Sequence, residues 1–281
     1  MKIPLEDHIK VSSEDLQDWH IHDFVSHDAE GHVEDFVRVA LQKHVKVICF
    51  VNHPERMDPS GLSFSIDVES VLEKLRLERQ EIDRCRDCYE GDVEIYQGIE
   101  LENRATLKEA NKRLLRSHPF DVVVGSCHLI GERSISSKRH LSFFKGKREE
   151  DVYNAFFDET LRLLESFSFH VLAHFDIVKR YGVYYYGIFR PKKYKARIRE
   201  IFQQLKEKNV GLEINTSGFF QGPREPYPGE ALALEALEAG VPFVLTGSDA
   251  HSPGQLAGGF EQLHSRHRYN RGLNFKRIDR E

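Results

Sequence analysis

Histidine and acidic residues stand at the points where apolar runs of this chain end. Residues 20–22 read HIH, Asn52 and His53 follow the run VKVICFV, and Asp249 and His251 follow VLTG. The ends of other apolar runs carry Glu100, His128, His174, Glu213 and Asn215. Imidazole nitrogen and carboxylate oxygen, without thiolate, are ligands for zinc, iron or manganese. The pattern predicts a divalent metal centre, provided that the fold brings these residues together.

The apolar runs have the length and composition of buried β-strands. They lie at residues 18–22, 45–51, 93–99, 121–126, 169–174, 210–215 and 241–247. Helical patterns separate them, as in residues 33–44, where one apolar face is marked by Val33, Phe36, Val37, Ala40 and Leu41. This alternation predicts an α/β fold with a parallel sheet buried on both faces, either a closed barrel or an open doubly wound sheet.

A closed barrel would bring the strand ends to one face, because the active sites of α/β barrels lie at the carboxyl ends of the strands. Positions i and i+2 of a strand face the same side, so His20 and His22 are able to bind one ion together. Carboxylates and imidazoles gathered in one pocket lose hydration and repel their like-charged neighbours. Bound divalent ions would compensate, so the set favours a multinuclear metal centre over separate structural histidines.

The composition is that of a protein with one large core and no excess of positive charge. The chain has 281 residues, 40% of them hydrophobic, and a net charge of −5, which argues against a nucleic-acid partner. No apolar run approaches the roughly 18 residues that cross a bilayer, and the N-terminus has no apolar signal core, so we expect a cytoplasmic protein. The sequence leaves the oligomeric state open.

We expect a single domain over residues 1–281. Its predicted parts outside the barrel are an N-terminal extension at 1–17, a polar and basic loop over the barrel rim at 131–149, and a C-terminal tail at 261–281. Repeats, low-complexity tracts and interdomain linkers are not evident in the sequence.

Thiols are not expected in the metal centre. Cys85 and Cys88 have the CxxC spacing, but no second CxxC completes a tetrahedral zinc site, so both are expected on a helix. Cys127 precedes His128 and is expected to be a buried strand residue. Trp19, directly before the HIH motif, is expected to pack in the barrel.

The order and spacing of these motifs resemble the polymerase-and-histidinol-phosphatase (PHP) family of metal-dependent phosphoesterases, and most closely its histidinol-phosphate phosphatase branch. The matching segments are HIH at 20–22, AEGHVEDFVRVALQKHVKVICFVNHPE at 29–55, GIELEN at 98–103, DVVVGSCH at 121–128, VLAHFDIVKRYG at 171–182, EINTSG at 213–218 and GVPFVLTGSDAHSPGQLAGGF at 240–260. The resemblance implies a distorted (β/α)7 TIM-like barrel. It also implies two to three divalent metal ions (zinc, iron or manganese) at the carboxyl ends of the strands.

The resemblance further implies how the ligands divide among the metals. The implied sets are His20, His22, Glu100 and Asp249 for the first metal; Glu100, His128 and His174 for the second; and His53, His251 and Asp28 for the third. Glu100 would bridge the first two metals. Asp28 stands where phosphatases of the family usually carry histidine, with His27 beside it.

Two positions depart from the family pattern. The threonine that usually follows the HxH pair is Asp23 here, and the acid that usually precedes the histidine on the second strand is Asn52. That acid would support the neighbouring His53 as a partner of the ligand. The resemblance therefore predicts a weaker or altered third metal beside two firmer ones.

Clustered divalent ions fit the hydrolysis of a phosphomonoester, which would make the protein a phosphoric monoester hydrolase. One ion lowers the pKa of bound water from about 15.7 towards 7, and the others clamp phosphate oxygens. The attacking hydroxide would lie between the metals that share Glu100, and Asp249 or His251 would pass a proton to the leaving alkoxide. L-Histidinol phosphate is the substrate that the resemblance favours.

Phosphate recognition also requires cations outside the metal ligands. The candidates are Lys179 and Arg180 in DIVKRYG, Arg224 in GPREPYP and Arg133 in GERSI. The basic loop at 131–149 is expected to be exposed, with closure over the substrate as the alternative. The aromatic residues at 181–190 are expected either to wall the pocket or to pack against that loop.

Two other interpretations remain open from the sequence alone. The same class of enzyme would act on another small sugar or alcohol phosphate, or on a nucleotide end, and the changes at Asp23 and Asn52 leave room for this. The other is a metal-binding protein without activity, against which the retention of nearly every ligand type argues.

Overall fold

The computed structural model describes residues 16–57 and 64–265 of the chain. The predicted N-terminal extension lies outside the described residues except at 16 and 17, and the predicted C-terminal tail lies outside them except at 261–265. The single domain over 1–281 therefore stays a prediction at both ends of the chain.

Seven parallel strands form the centre of the fold, and neighbours in the sheet follow the order of the chain. They are β1 (Leu16–Ile21), β2 (Val45–Asn52), β3 (Glu94–Glu102), β4 (Val122–Ser126), β5 (Val171–Leu172), β6 (Gly211–Asn215) and β7 (Phe243–Gly247). Their apolar, largely β-branched runs suit strands that are buried on both faces. β5 is shorter at both ends than the 169–174 predicted from the sequence, and just beyond its carboxyl end His174 takes a φ of 29°, which is not a strand conformation.

The first and last strands lie side by side, so the sheet is nearly closed into a barrel. Ile21 and Ala250 form a parallel bridge. The amide of His22 donates to the Ala250 carbonyl, and the amide of Asp249 donates to the His20 carbonyl, both at 2.8 Å. This closure confirms the predicted distorted (β/α)7 TIM-like barrel over the open sheet, and it brings the carboxyl ends of the strands to one mouth.

Helices flank the strands along the described part of the chain. They are α1 (Val33–Gln42), α2 (Val68–Cys88), α3 (Lys108–Ser117), α4 (Glu149–Ser166), α5 (Lys179–Tyr186), α6 (Lys195–Lys208), α7 (Glu230–Glu238) and α8 (Phe260–Ser265). The predicted face of α1 is confirmed, since Val33, Phe36, Val37 and Ala40 are buried. Cys85 and Cys88 lie on α2 as predicted, the former buried and the latter exposed.

The barrel interior below the mouth is filled by apolar side chains that come from strands. This cluster includes Trp19, Val47, Cys49, Val51, Val122, Val124, Val171, Ala173 and Leu245. Trp19 packs on Tyr96 with ring centroids 4.8 Å apart, which confirms its expected place in barrel packing. Cys127 is buried with a free thiol as predicted, but it lies one residue beyond the end of β4 and not in the strand. A filled interior leaves polar side chains at the mouth as the place for chemistry.

The predicted rim loop at 131–149 is only partly a loop. It contains a short hairpin strand, a 3₁₀-helix at Lys138–Phe143 and the first residue of α4. Ile135, His140 and Phe144 are buried, and His140 Nδ1 accepts the amide proton of Ser134 at 2.8 Å. These buried side chains hold the segment against the barrel, so its polar residues have fixed positions at the mouth.

Candidate metal centre

The HIH motif and the segment after β7 form the first group of potential ligands. His20 Nε2 and His22 Nε2 lie 3.1 Å apart. Asp249 Oδ1 lies 3.3 Å from His22 Nε2 and 3.8 Å from His20 Nε2. Glu100 Oε2 approaches His20 Nε2 to 3.5 Å. All four predicted ligands of the first metal therefore surround one point.

A second group shares Glu100 with the first. Glu100 Oε1 lies 2.9 Å from His174 Nε2 and 3.6 Å from His128 Nε2. The two imidazole nitrogens of His128 and His174 lie 3.2 Å apart. Because the two oxygens of Glu100 face different groups, the carboxylate has the position of a bridge.

The third predicted set is also assembled, nearer to solvent. His53 Nε2 lies 3.0 Å and His251 Nε2 lies 3.7 Å from Asp28 Oδ1. His22, His53 and His251 bring ring nitrogens within 4.8 Å of one another, as do potential ligand atoms of His27, Asp28 and His53. The set thus adjoins the first group through His22, and either Asp28 or His27 is placed to complete it.

The hydrogen bonds of the outer ring nitrogens fix which nitrogen faces the mouth. His20 Nδ1 donates to Glu213 Oε1 at 2.7 Å, and His251 Nδ1 donates to the Asp249 carbonyl at 2.9 Å. His22 Nδ1 lies 3.4 Å from Ser26 Oγ. When these rings are neutral, their Nε2 atoms carry the lone pairs. The Nε2 atoms of His20 and His22, 3.1 Å apart, then fit a cation shared between them.

The acids of the group titrate as anions, whereas its imidazoles divide into neutral and protonated rings. Burial opposes ionisation of Glu100, but the imidazoles of His128 and His20 hold its pKa well below the usual range. Asp249 is likewise buried, and its hydrogen bond to His22 and its histidine neighbours hold its pKa well below the usual range. Burial lowers the pKa of His22 to about 3 and that of His128 to about 3. Burial opposes protonation of His20 and His53, but Glu213 and Glu100 raise the pKa of His20 well above its usual range, and Asp28 raises that of His53 to about 9. A divalent ion bound by these two rings would therefore displace a proton from each of them.

Two ligand candidates are held in a strained backbone conformation. His174 has a φ of 29° and Asp249 a φ of 57°, which costs roughly 1–3 kcal/mol at a non-glycine residue. The His174 amide donates to Glu213 Oε2 at 3.0 Å, and β1 holds the Asp249 amide. Glu213 thus orients both His20 and His174. From the sequence, Glu213 is recognised only as one more acid at the end of a strand.

The two departures from the family pattern face each other in a buried network. Asn52 Nδ2 donates to Asp23 Oδ1 and to Glu78 Oε1, both at 2.9 Å. Asn52 Oδ1 accepts from the Ser26 hydroxyl at 2.8 Å, and Ser26 Oγ accepts the amide proton of His53 at 3.1 Å. Burial raises the pKa of Asp23 to about 7 and raises that of Glu78 well above its usual range. Asn52 therefore supports the His53 backbone through Ser26, and a weaker third metal stays a prediction.

The ligand groups open into a cavity of about 1110 Å³. Arg180, one of the predicted phosphate contacts, lines it. Arg139 from the rim segment also lines it, together with Ser134, Ser136 and Ser137. Neither guanidinium is paired with a carboxylate among the described residues. The basic composition of the segment at 131–149 points to a cation near the substrate, but Arg139 itself is not among the candidates chosen from the sequence.

Three other predicted phosphate contacts lie elsewhere. Lys179 is fully buried, and its ammonium is paired with Asp176 at 2.7 Å and Glu225 at 2.9 Å, so it cannot reach a ligand in the cavity and that prediction is wrong. Arg224 is exposed and does not line the cavity. Arg133 is also exposed and lines a separate space of about 250 Å³ instead.

Of the aromatic residues at 181–190, Tyr185 and Tyr186 pack against the rim segment, Phe189 packs on Tyr153, and none lines the described cavity. The ring centroids of Phe144 and Tyr185 lie 5.5 Å apart, and the Tyr186 hydroxyl donates to the Phe144 carbonyl at 3.1 Å. This contact decides between the two alternatives that the sequence left open.

The network around Asn52 yields a stability prediction. In Asn52→Asp the new carboxylate cannot donate the hydrogen bonds that the Asn52 amide makes to Asp23 and Glu78. It also places a third acid in the buried network. We expect the free energy of unfolding to fall by about 3–5 kcal/mol in urea denaturation. The exchange variant Asp23→Asn/Asn52→Asp restores an amide–carboxylate pair and is expected to recover at least half of that loss. An Asn52→Asp protein as stable as the parent would contradict the assigned direction of these hydrogen bonds.

Comparisons with known proteins identify relatives of this chain. The PHP domain matches residues 18–217. The histidinol-phosphatase of Lactococcus lactis subsp. lactis is 26% identical over 235 residues, 83% of each chain. A probable histidinol-phosphatase of Deinococcus radiodurans is 24% identical over 241 residues, which are 86% of this chain and 88% of that one.

A solved structure shares the whole fold. It is histidinol phosphate phosphatase from Lactococcus lactis complexed with zinc, L-histidinol and phosphate, with a TM-score of 0.77, 24% identity, and coverage of 94% of this chain and 95% of that chain. Within residues 16–57 and 64–265, no helix is both long and apolar enough to span a bilayer. Because the domain match takes in most of the sequence, the chain belongs to the PHP domain family.

Proposed function

We propose that the protein is a metal-dependent phosphomonoesterase that hydrolyses L-histidinol phosphate to L-histidinol and phosphate, as a step of histidine biosynthesis. The observation that carries this proposal is the assembly of adjoining imidazole and carboxylate groups at the floor of a cavity that also contains Arg139 and Arg180. Relatives matching 83% and 86% of this chain bear the name histidinol-phosphatase, which supports the choice of substrate.

Two to three divalent ions (zinc, iron or manganese) fit the donor set. The residues that would hold them are His20, His22, Glu100 and Asp249; Glu100, His128 and His174; and His53, His251 and Asp28. The absence of thiolate in these groups and the carboxylate position between two of them suit several ions better than one. The Lactococcus structure contains zinc, which supports zinc as one of the metals.

Bound divalent ions would lower the pKa of coordinated water and neutralise charge on the phosphate oxygens. The chain itself supplies positioning and proton transfer. Glu100 holds the first two groups at a fixed separation through its two oxygens. Asp249 is 15% and His251 29% exposed at the cavity. We assign to the Asp249 carboxylate the acceptance of a proton from the attacking water, and to Asp249 and His251 the transfer of that proton to the leaving alcohol oxygen.

The two cavity arginines would bind the phosphate oxygens that face away from the ligand groups. A guanidinium presents its N–H groups as a planar fork that matches two phosphate oxygens. Arg180 follows β5 by a short loop and Arg139 comes from the rim segment, so they approach the cavity from two different elements. The rim segment thereby takes part in binding the substrate instead of only covering the barrel.

Phosphate release from a substrate panel tests the proposal. With metal restored, we expect kcat/KM for L-histidinol phosphate to exceed that for sugar phosphates, simple alcohol phosphates and oligonucleotide 3′ ends by at least about 100-fold, within the usual enzyme range. A chelator should abolish release, and zinc, manganese or iron should restore it. A higher kcat/KM for a nucleotide end or a sugar phosphate would rule out L-histidinol phosphate as the preferred substrate. Absence of phosphate release from every compound would favour a metal-binding protein without activity.

Substitution of the two predicted arginines separates a cavity contact from a surface residue. Arg180→Gln should lower kcat/KM for L-histidinol phosphate about 10- to 100-fold, mainly by raising KM. This is the size of effect expected when a hydrogen bond to a charged group is lost. Arg224→Gln, the matched control outside the cavity, should stay within about 2-fold of the parent. Equal effects of the two substitutions in steady-state kinetics would remove Arg180 from phosphate binding.

A further inference from the structure

One carboxyl oxygen in the cavity has no hydrogen-bond partner among the described residues. Glu55 stands two residues after His53, lines the cavity and is only 6% exposed. Its Oε2 is buried and makes no hydrogen bond to any described residue. Buried carboxylate oxygens are normally hydrogen-bonded, because an unmade bond leaves the cost of lost hydration uncompensated. A molecule that enters the cavity is placed to supply the missing donor.

The other cavity acids already have a role. Asp28, Glu100 and Asp249 belong to the ligand groups described above. Glu102 accepts the amide proton of His128 at 2.6 Å and that of Asn103 at 3.1 Å. Glu55, by contrast, belongs to none of the groups of described residues whose potential ligand atoms lie within 4.8 Å of one another. Among the described acids that line the cavity, it is the one left for a bound molecule.

The charges of the cavity therefore suit a substrate that carries both a negative and a positive charge. Arg139 and Arg180 offer cations for the phosphate, while Glu55 offers an anion close to the ligand groups. Glu55 lines the same cavity as His53 and Glu100, so its carboxyl group faces the space in which the phosphate would bind. A cation carried next to the phosphate ester would meet it.

We propose that Glu55 is a specificity-determining residue that binds the primary ammonium group of the substrate, so that the cavity selects phosphate esters of amino alcohols over esters without the amine. This inference rests on the proposed function. In L-histidinol phosphate, the carbon that bears the ammonium is bonded to the carbon that bears the phosphate ester. The ammonium therefore lies next to the phosphate, where a charge-assisted hydrogen bond to Glu55 Oε2 would form.

The test is Glu55→Gln, which keeps the shape of the side chain and removes its charge. The metal-loaded parent and variant are compared on L-histidinol phosphate and on its analogue in which hydrogen replaces the amine. We expect kcat/KM to fall about 10- to 100-fold on the amine substrate and less than about 3-fold on the analogue. Glu90→Gln, the same change at an exposed residue after α2, should leave both substrates unaffected.

Three outcomes would overturn the inference. Equal losses on both substrates would indicate a structural role, an unchanged kcat/KM on both would indicate no contact, and loss of bound metal in elemental analysis would indicate a metal ligand. If the parent hydrolyses neither ester, the proposed function fails. In that case, calorimetric titration with L-histidinol and with the corresponding alcohol that lacks the amine decides the inference. The inference requires that Glu55→Gln weaken the binding of L-histidinol and leave the binding of the other alcohol unchanged.

Discussion

Imidazole lone pairs and carboxylate oxygens crowded within 4 Å of one another need positive charge between them, and this need organises the barrel mouth. His20 and His22 direct Nε2 atoms at each other across 3.1 Å, and His128 and His174 do so across 3.2 Å. In water or in an apolar core such pairs would separate. They stay together here because Glu213 accepts from the outer ring nitrogen of His20 and from the backbone amide of His174, which leaves the inner ring nitrogens for divalent ions.

The scaffold meets this requirement by closing the sheet. Asp18, buried in β1, accepts the amide protons of Ser248 at 2.9 Å and of Ala257 at 2.7 Å, and so ties the segment after β7 to the first strand. That tie carries Asp249 to the HIH motif across more than 200 residues of chain. Gly247 allows the close approach, because a Cβ there would collide with His20 and Glu213. Strain in the backbone at Asp249 and His174 is offset by the same set of contacts.

Much of this could be predicted from the sequence, and the limits have physical causes. Parallel strands end at one face, so ligand residues at strand ends predict a common site without knowledge of distances. Lys179 and Arg180 are adjacent on α5 and point in different directions. Of the two acids that pair with Lys179, Asp176 lies three residues before it, but Glu225 comes from a distant segment that only the fold brings near. The position of Arg139 at the cavity depends on how its 3₁₀-helix packs, which the sequence pattern does not reveal. The unpaired state of Glu55 is a property of the folded chain and leaves no trace in a motif.

The central claim is that these side chains surround several divalent ions. Anomalous X-ray scattering at the zinc, iron and manganese absorption edges, from crystals of protein purified without chelator, tests it most directly. The account predicts at least two anomalous peaks within bonding distance of Nε2 and carboxylate oxygens, one between His20 and Asp249 and one between His128 and His174, with Glu100 touching both. Crystals with no peak at either place, in protein that releases phosphate from its substrate, would contradict it.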